Sequence, residues 1–386
     1  MRGERLCAIS ICVLLGLSLT FPPLAFSQSR VRYLPGFPGP LPFHLETGYI
    51  GVGESDAHQL FYYFVESERN PKEDPLVLWL TGGPGCSAWS GLVYEIVSDH
   101  GFPGPLYFEY AHYDGSLPRL KLREHSWTKV SNIIFVDSPV PTGFSYFSNS
   151  AENYVGNDLK SPKEVYQFLV KWLIAHPQFL SNPLYIGGDS YNGLILPPVV
   201  YYVANGIEAG KEPILNLKLA IKTYPSDRSL IQLYIIICTQ GYLLGNPKTH
   251  RPIDDGSFVP FVHRMNLISD ELYESVRKSC GGVYWHPTDS KCIKDIEAVK
   301  AMIAGIDVEH ILEPLCPFVS PKPPLVGHGR LLDDNLIGPH LPDTLPGFGC
   351  REYWYLLAYY WANDANVRKA LYVSEVYNPS VPSEHA

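Results

Sequence analysis

Three stretches of the sequence run through consecutive apolar residues and then stop at a glycine or an acidic residue. They are DPLVLWLTGGPG (74–85), VSNIIFVDSPV (130–140) and PLYIGGDS (183–190). Continuous apolar runs are typical of strands that are buried on both faces of a parallel sheet covered by helices. Ligands of such sheets bind beyond the carboxyl ends of the strands. We therefore expect Gly82, Gly83, Asp137 and Ser190 to lie near a site.

Other segments alternate with these strands. HQLFYYFVES (58–67) has the alternation of a strand, whereas KEVYQFLVKWLIAHP (163–177) and the segment after Ser190 have helical spacing. REYWYLLAYYWANDANVRKALYV (351–373) predicts a further helix. This order indicates an α/β fold with a mainly parallel central sheet. Between about 205 and 347 the pattern is irregular and holds four cysteines, which predicts an inserted cap region.

Composition limits the function. The chain has 386 residues, 46% of them hydrophobic, enough for one large domain or for a core with a cap. Charged residues make up 18%, the net charge is -9, and no basic cluster occurs, so we expect no nucleic-acid partner. No pair of cysteines has C-x-x-C spacing, so we expect no zinc site, and no cofactor is indicated.

The amino terminus predicts a secretory signal peptide over 1–27. Arg2 and Arg5 precede an apolar run to about Phe21, and the small residues Ala25 and Ser27 follow. The alternative is a membrane anchor, but the run is short and broken by proline. Eight cysteines agree with an oxidising compartment. The expectation is a protein of the secretory pathway without stable membrane association.

Ser190 is a candidate nucleophile. A serine hydroxyl needs a base to take its proton and donors to hold the resulting oxyanion. A sharp strand-to-helix turn exposes such a serine and requires small neighbours; Gly188 meets this need, and Asn192 fits less well than glycine. The motif alone is equally compatible with an ordinary loop serine. The glycines after Leu80 could direct N–H groups at negative charge, or could form a structural turn.

Five motifs in order resemble the plant serine carboxypeptidase-like family. They are LWLTGGPGCSAWSGL, HSWTKVSNIIFVDSPVPTGFSY, PLYIGGDSYNG, GYLLGNP and YYWANDANVRKALYV. The resemblance implies an α/β-hydrolase fold and a Ser-Asp-His triad in that order. It makes Ser190 the nucleophile and the amides of Gly83 and Tyr191 the oxyanion hole. It also implies a vacuolar or extracellular location, and it pairs the cap cysteines Cys280 with Cys292 and Cys316 with Cys350.

Two positions favour one branch of this family. True carboxypeptidases resemble one another in an asparagine before the two glycines and a glutamate before the serine, which hold the free carboxylate of a peptide. Here the substrate-binding positions are Thr81, Gly82 and Asp189, and both changes weaken a carboxylate clamp. The combination looks like the acyltransferase branch, which moves an acyl group from a 1-O-acylglucose ester to an alcohol or amine. A carboxypeptidase that tolerates the changes is the alternative.

The chain departs from the family after Val373. The triad aspartate and histidine would follow later, so the last strands of the fold are expected to be absent. None of the histidines after Ser190 (His250, His263, His286, His310, His328, His340 and His385) has a family-like context. The resemblance also pairs Cys86 with a cysteine beyond the present end. A non-catalytic truncated product is therefore a further alternative.

Two internal departures complete the prediction. The segment 219–240 interrupts the family pattern and resembles the end of a retained intron, or else a true loop insertion. Pro141 replaces a family glycine and would be strained if the turn needs a left-handed residue. The expected organisation is a signal peptide (1–27), an N-terminal core part (28–205), a cap region (206–347) and the start of a C-terminal core part (348–386).

Overall fold

The computed structural model describes residues 27–93, 104–109, 116–148, 158–217, 241–306, 311 and 352–375. The predicted signal peptide up to residue 26 lies outside the described residues, and so does the atypical segment 219–240. Among the described residues, no helix has both the length and the apolar character needed to cross a bilayer.

Ten strands and nine α-helices make up the described part. The strands are β1 (Ser27–Val31), β2 (Leu45–Val52), β3 (His58–Val65), β4 (Leu76–Leu80), β5 (Leu106–Glu109), β6 (Arg119–Leu122), β7 (Asn132–Val136), β8 (Tyr146–Phe147), β9 (Leu184–Asp189) and β10 (Tyr242–Gly245). The helices are α1 (Ala88–Val93), α2 (Lys160–Ala175), α3 (Asn192–Glu208), α4 (Arg251–Asp254), α5 (Phe258–Arg264), α6 (Asp270–Cys280), α7 (Ser290–Met302), α8 (Glu352–Asn363) and α9 (Ala365–Ala370).

The central sheet has the strand order β1-β2-β3-β7-β4-β9-β10, and β8 pairs with β3. In the first half of this order, from β1 to β7, each strand pairs antiparallel with its neighbour. In the second half, from β7 to β10, each strand pairs parallel with its neighbour. The predicted parallel strands therefore form the half of a mixed sheet that carries the candidate residues. Their carboxyl ends meet at one edge, because parallel strands point the same way.

Alternate side chains of the central strands enter two separate cores. Val77 and Trp79 of β4 pack with Ile133 of β7 on one face, while Leu78 of β4 and Ile134 of β7 pack on the other. The three runs that were expected to be strands buried on both faces are β4, β7 and β9, and α1, α8 and α9 cover the first face of the sheet. Helices α2 and α3 close the second face.

The helix predicted over 351–373 is interrupted. Asp364 has an extended backbone (φ −69°, ψ 133°), which ends α8 and starts α9. Its carboxylate accepts hydrogen bonds from the N–H groups of Asn366 (2.8 Å) and Val367 (3.1 Å). The interruption arises because an N-cap aspartate satisfies donors that a new helix leaves open, a preference that helical periodicity alone does not reveal.

Residues 241–306 contain a third apolar cluster of their own. Val259, Val276 and Val299 are buried in it, and it is closed by a disulfide between Cys280 and Cys292 with an S–S length of 1.94 Å. The first of the two implied disulfides is thus present. Cys316 and Cys350 lie outside the described residues. The cap boundaries themselves stay a prediction.

A stacked tryptophan pair joins α1 to α8. Trp89 of α1 and Trp361 of α8 are both buried, and their rings lie 4.1 Å apart at an angle of 2°. The Trp361 indole N–H donates to the carbonyl oxygen of Pro35 at 2.7 Å. Because α1 directly follows the glycine turn after β4, this contact fixes the helix behind that turn.

Replacing Trp361 should therefore weaken the fold. We expect Trp361→Ala to lower the free energy of unfolding by about 3–5 kcal/mol, because a fully buried ring and its partner stack are lost. Denaturant titration measures this change. Tyr201→Ala is the matched control, since Tyr201 is 54% exposed on α3, and it should change stability by less than about 0.5 kcal/mol. Equal effects of the two substitutions would contradict the assignment.

Candidate active site

Ser190 occupies a sharp turn between β9 and α3. Its φ is 51°, in the left-handed region that a serine rarely adopts, and the residue is exposed. The Ser190 N–H donates to the carbonyl oxygen of Gly245 at 2.8 Å. The Ser190 carbonyl oxygen accepts from the N–H groups of Lys248 (2.7 Å) and Gly193 (3.1 Å). The strained turn is thus held by β10 and by the loop after it.

Small residues around the turn are required by contact. A side chain on Gly188 would place its Cβ 2.5 Å from the Leu80 carbonyl oxygen, and one on Gly193 would lie 2.3 Å from the Lys248 carbonyl oxygen. Asn192, which sequence analysis found a poor fit, is instead a buried anchor. Its side-chain amide donates to the Leu80 carbonyl oxygen at 2.8 Å and ties α3 to the end of β4.

The glycine turn after β4 packs directly against the serine. A Cβ on Gly82 would lie only 2.7 Å from the Ser190 Cβ. Gly83 has φ 117° and Gly85 has φ 91°, both in the region that favours glycine. The loop closes on itself through the N–H of Cys86, which donates to the Gly82 carbonyl oxygen at 3.3 Å. The two glycine motifs therefore lie against each other.

The acid before the serine is fixed by the same loop. The Gly82 N–H donates to Asp189 Oδ1 at 2.9 Å. Burial raises the pKa of Asp189 to about 6, and this hydrogen bond from Gly82 opposes the increase. Thr81 is buried, and it follows Leu80, which pairs with Gly188 in the parallel register. Thr81 and Asp189 therefore lie at neighbouring strand ends.

Asp137 is a buried carboxylate that sequence analysis placed only at a strand end. Its Oδ1 accepts from the Ala88 N–H (2.7 Å) and from the Ser87 hydroxyl (2.9 Å). Its Oδ2 accepts from the Phe144 N–H at 2.8 Å. Burial raises the pKa of Asp137 to about 6 in spite of these bonds. Asp137 thus joins the start of α1 to the loop that follows β7.

That loop places its left-handed residue at Gly143, not at Pro141. Gly143 has φ 53°, and a Cβ there would lie 2.1 Å from Asp137 Oδ2. The condition under which strain was expected at Pro141 is not met, because the positive φ of this loop lies at Gly143. The close approach to the buried carboxylate requires glycine there.

Tyr191 lies between Ser190 and the first residue of α3. Its phenol donates to the Asp158 carboxylate, whose two oxygens lie 2.9 and 2.8 Å away. Asp158 precedes α2 by two residues, so the contact joins the turn at Ser190 to the start of that helix. Sequence analysis had no signal for this contact, because 33 residues separate the partners.

The described histidines have other partners. His58 pairs with Glu164 at 2.8 Å, His176 with Glu46 at 2.8 Å, and His263 with Asp270 at 2.8 Å. No hydrogen bond joins a histidine to the Ser190 hydroxyl within the described ranges. His250 and His286 are exposed. His310, His328, His340 and His385 lie outside those ranges.

The described residues also contain no group of three or more histidine, cysteine, aspartate or glutamate side chains arranged to hold a metal ion. The chemistry that they offer is that of a strained serine beside a glycine turn. A carboxyl group is fixed next to the serine, and a buried aspartate lies behind the turn. This combination suits nucleophilic attack on a carbonyl group.

Comparison with known proteins identifies the family. The serine carboxypeptidase family matches residues 35–222 and 231–383. The chain belongs to the serine carboxypeptidase family. The match omits residues 223–230, which lie within the atypical segment 219–240.

Individual relatives agree. "Serine carboxypeptidase-like 2" of Arabidopsis thaliana is 44% identical over 351 residues, which are 90% of this chain and 67% of that protein. "Serine carboxypeptidase-like 17" of the same plant is 41% identical over 361 residues, which are 93% of this chain and 69% of that protein. This serine carboxypeptidase family member therefore spans about two thirds of the length of these relatives.

A solved structure confirms the fold. The prohormone-processing carboxypeptidase Kex1 of Saccharomyces cerevisiae superposes with a TM-score of 0.58 at 19% identity, covering 92% of this chain and 72% of that one. The predicted α/β-hydrolase fold is confirmed. The roles of individual residues rest on the geometry above.

The pKa of Asp137 predicts how stability varies with pH. Because its folded-state pKa is about 6, above the ordinary value of 3.8, the folded state binds the proton more tightly than the unfolded state. Stability should therefore fall as pH rises from about 4 to about 6, by about 1.4 kcal/mol per unit of raised pKa.

Asp137→Asn isolates this effect, because the amide has nearly the same shape and does not titrate. The difference in unfolding free energy between wild type and variant, measured at several pH values, should change over that range. A pH-independent difference would show that Asp137 does not titrate there.

Proposed function

We propose that Ser190 is the nucleophile of a covalent acyl transfer, from a 1-O-acylglucose ester to an alcohol or an amine. The observation that carries this proposal is the left-handed turn at Ser190, packed against the glycine turn after β4. Such a turn exposes the hydroxyl beside backbone N–H groups that a reacting carbonyl oxygen can reach.

The reaction proceeds in two balanced steps. The Ser190 oxygen bonds to the ester carbonyl carbon, its proton passes to a base, and the bond from that carbon to the glucose oxygen breaks as glucose takes the proton. The acceptor oxygen or nitrogen then attacks the acyl-enzyme and gives its proton to the base. The base returns that proton to Ser190, which leaves the acyl group on the acceptor.

The oxyanion of each step is assigned to the N–H groups of Gly83 and Tyr191. These residues flank Ser190 from two different elements, the glycine turn after β4 and the start of α3. Their alignment depends on the close packing of Gly82 on Ser190. The family resemblance supplies the base and its orienting acid as a histidine and an aspartate, and neither has a match among the described residues.

The substrate-binding positions distinguish the branches. Thr81 offers one short hydroxyl where a carboxypeptidase has the two donors of an asparagine, and the Oδ1 atom of Asp189 already accepts from Gly82. A free peptide carboxylate is therefore held less well than in the carboxypeptidase pattern. A neutral acylglucose needs no such clamp.

A serine carboxypeptidase is the second candidate. Asp189 keeps a carboxyl group beside the serine, and its pKa of about 6 leaves it largely protonated at mildly acidic pH. A protonated carboxyl group donates a hydrogen bond to a substrate carboxylate. Under either candidate we infer passage through the secretory pathway to the vacuole or the extracellular space, and a small-molecule or peptide substrate.

Substrate competition tests the proposal. Incubating the protein with sinapoyl-glucose and an alcohol acceptor should give an acyl adduct on the peptide that contains Ser190, visible by mass spectrometry. Ser190→Ala should abolish it. A blocked dipeptide supplies the second arm. Release of its terminal amino acid without ester turnover would favour the carboxypeptidase, and a folded protein that reacts with neither would contradict both candidates.

Restoring the asparagine and the glutamate of the carboxypeptidase pattern should shift substrate preference toward peptides. We expect Thr81→Asn with Asp189→Glu to raise kcat/KM for the blocked dipeptide relative to the acylglucose by about tenfold or more. The reason is that the asparagine and the glutamate would form hydrogen bonds to the free carboxylate of the peptide. Steady-state kinetics on both substrates measure the ratio. Lys211→Gln, in an exposed segment after α3, is the control and should leave it unchanged. An unchanged ratio in the double variant would remove Thr81 and Asp189 from substrate selection.

A further inference from the structure

The contact between Tyr191 and Asp158 has a consequence for the nucleophile turn. Tyr191 contributes two groups to this region: a backbone N–H, assigned above to the oxyanion hole, and a phenol. The phenol oxygen lies 2.9 and 2.8 Å from the two Asp158 carboxylate oxygens.

Asp158 lies close to the start of helix α2, which is packed against the central sheet. It lies two residues before α2, whose Phe168, Leu169 and Trp172 are fully buried against the sheet. A buried pair, His58 with Glu164, lies near the start of this helix, and a partly buried pair, His176 with Glu46, lies after its end. Asp158 itself is exposed, and its carboxylate joins the residues just before this packed helix to the Tyr191 phenol.

The turn needs such a point because its backbone is strained. Ser190 has φ 51°, whereas Tyr191 already has the helical values φ −58° and ψ −24°. Relaxation of Ser190 toward an ordinary conformation would rotate the peptide between these residues and redirect the Tyr191 N–H. On the β10 side, Gly245 and Lys248 hold Ser190. On the α2 side, Asp158 holds Tyr191.

We propose that Asp158 is a positioning residue: its carboxylate holds the Tyr191 phenol and thereby fixes the peptide between Ser190 and Tyr191. This inference rests on the proposed function only for the role of that peptide as an oxyanion donor. The contact itself is independent of catalysis, so the two claims are tested separately.

Hydrogen exchange tests the contact without requiring activity. We expect amides in the peptide covering residues 188–194 to exchange about tenfold faster in Tyr191→Phe and in Asp158→Ala than in the wild type. Because both changes break the same bond, the double variant should exchange no faster than either single variant. The matched control is Tyr202→Phe, since Tyr202 stacks on Tyr166 between the same two helices, with centroids 6.3 Å apart. Unchanged exchange in both variants would overturn the proposal.

Reaction of Ser190 with a fluorophosphonate tests the consequence. The maximal labelling rate should fall about tenfold in both variants, while the probe concentration at half-maximal rate and the final labelled fraction stay unchanged. A general loss of folding would instead lower the final fraction. Faster exchange with an unchanged labelling rate would overturn the positioning role. If the wild type is not labelled, the proposed function fails, and the exchange result still decides whether Asp158 fixes the turn.

Discussion

The left-handed backbone of Ser190 is the constraint on which the rest of the site depends. A residue with a side chain at φ 51° is held there only when its surroundings leave no easier conformation. Here the surroundings are crowded from three directions, by Gly82 on β4's turn, by the Leu80 carbonyl oxygen near Gly188, and by the Lys248 carbonyl oxygen near Gly193. The strained turn leaves Ser190 exposed beyond the carboxyl end of β9.

Buried carboxyl groups join the loops around this turn. Asp137 receives three donors from two loops, and Asp189 receives the Gly82 N–H. Each satisfies N–H groups that would otherwise be buried without partners, which is costly in a protein interior. Desolvation opposes ionisation at both positions and raises their pKa values to about 6. The geometry of the site is therefore linked to mildly acidic pH through residues that do not touch the serine hydroxyl.

Much of the fold could be predicted because the strands are continuous apolar runs and α2 has a clear helical period. The break at Asp364 was missed, since a helical pattern persists on both sides of it. The proximity of Gly82 to Ser190 could be predicted because the glycines and the serine follow adjacent strands. The bond between Tyr191 and Asp158 and the left-handed position at Gly143 could not be predicted, as each depends on which distant atoms approach the backbone.

By itself, the sequence determined the family, the α/β architecture and the candidate nucleophile, because these follow from local patterns of apolar residues and from motifs a few residues long. Only the tertiary structure decided which groups hold Ser190 in place. Asn192, which fits the serine turn less well than glycine, ties α3 to the end of β4. Asp137, known from sequence only as the end of a strand, joins the start of α1 to the loop after β7. Asp158, which no sequence pattern marks, accepts a hydrogen bond from Tyr191. The physical reason is that hydrogen bonds between distant segments exist only after the sheet has brought its strand ends to one edge.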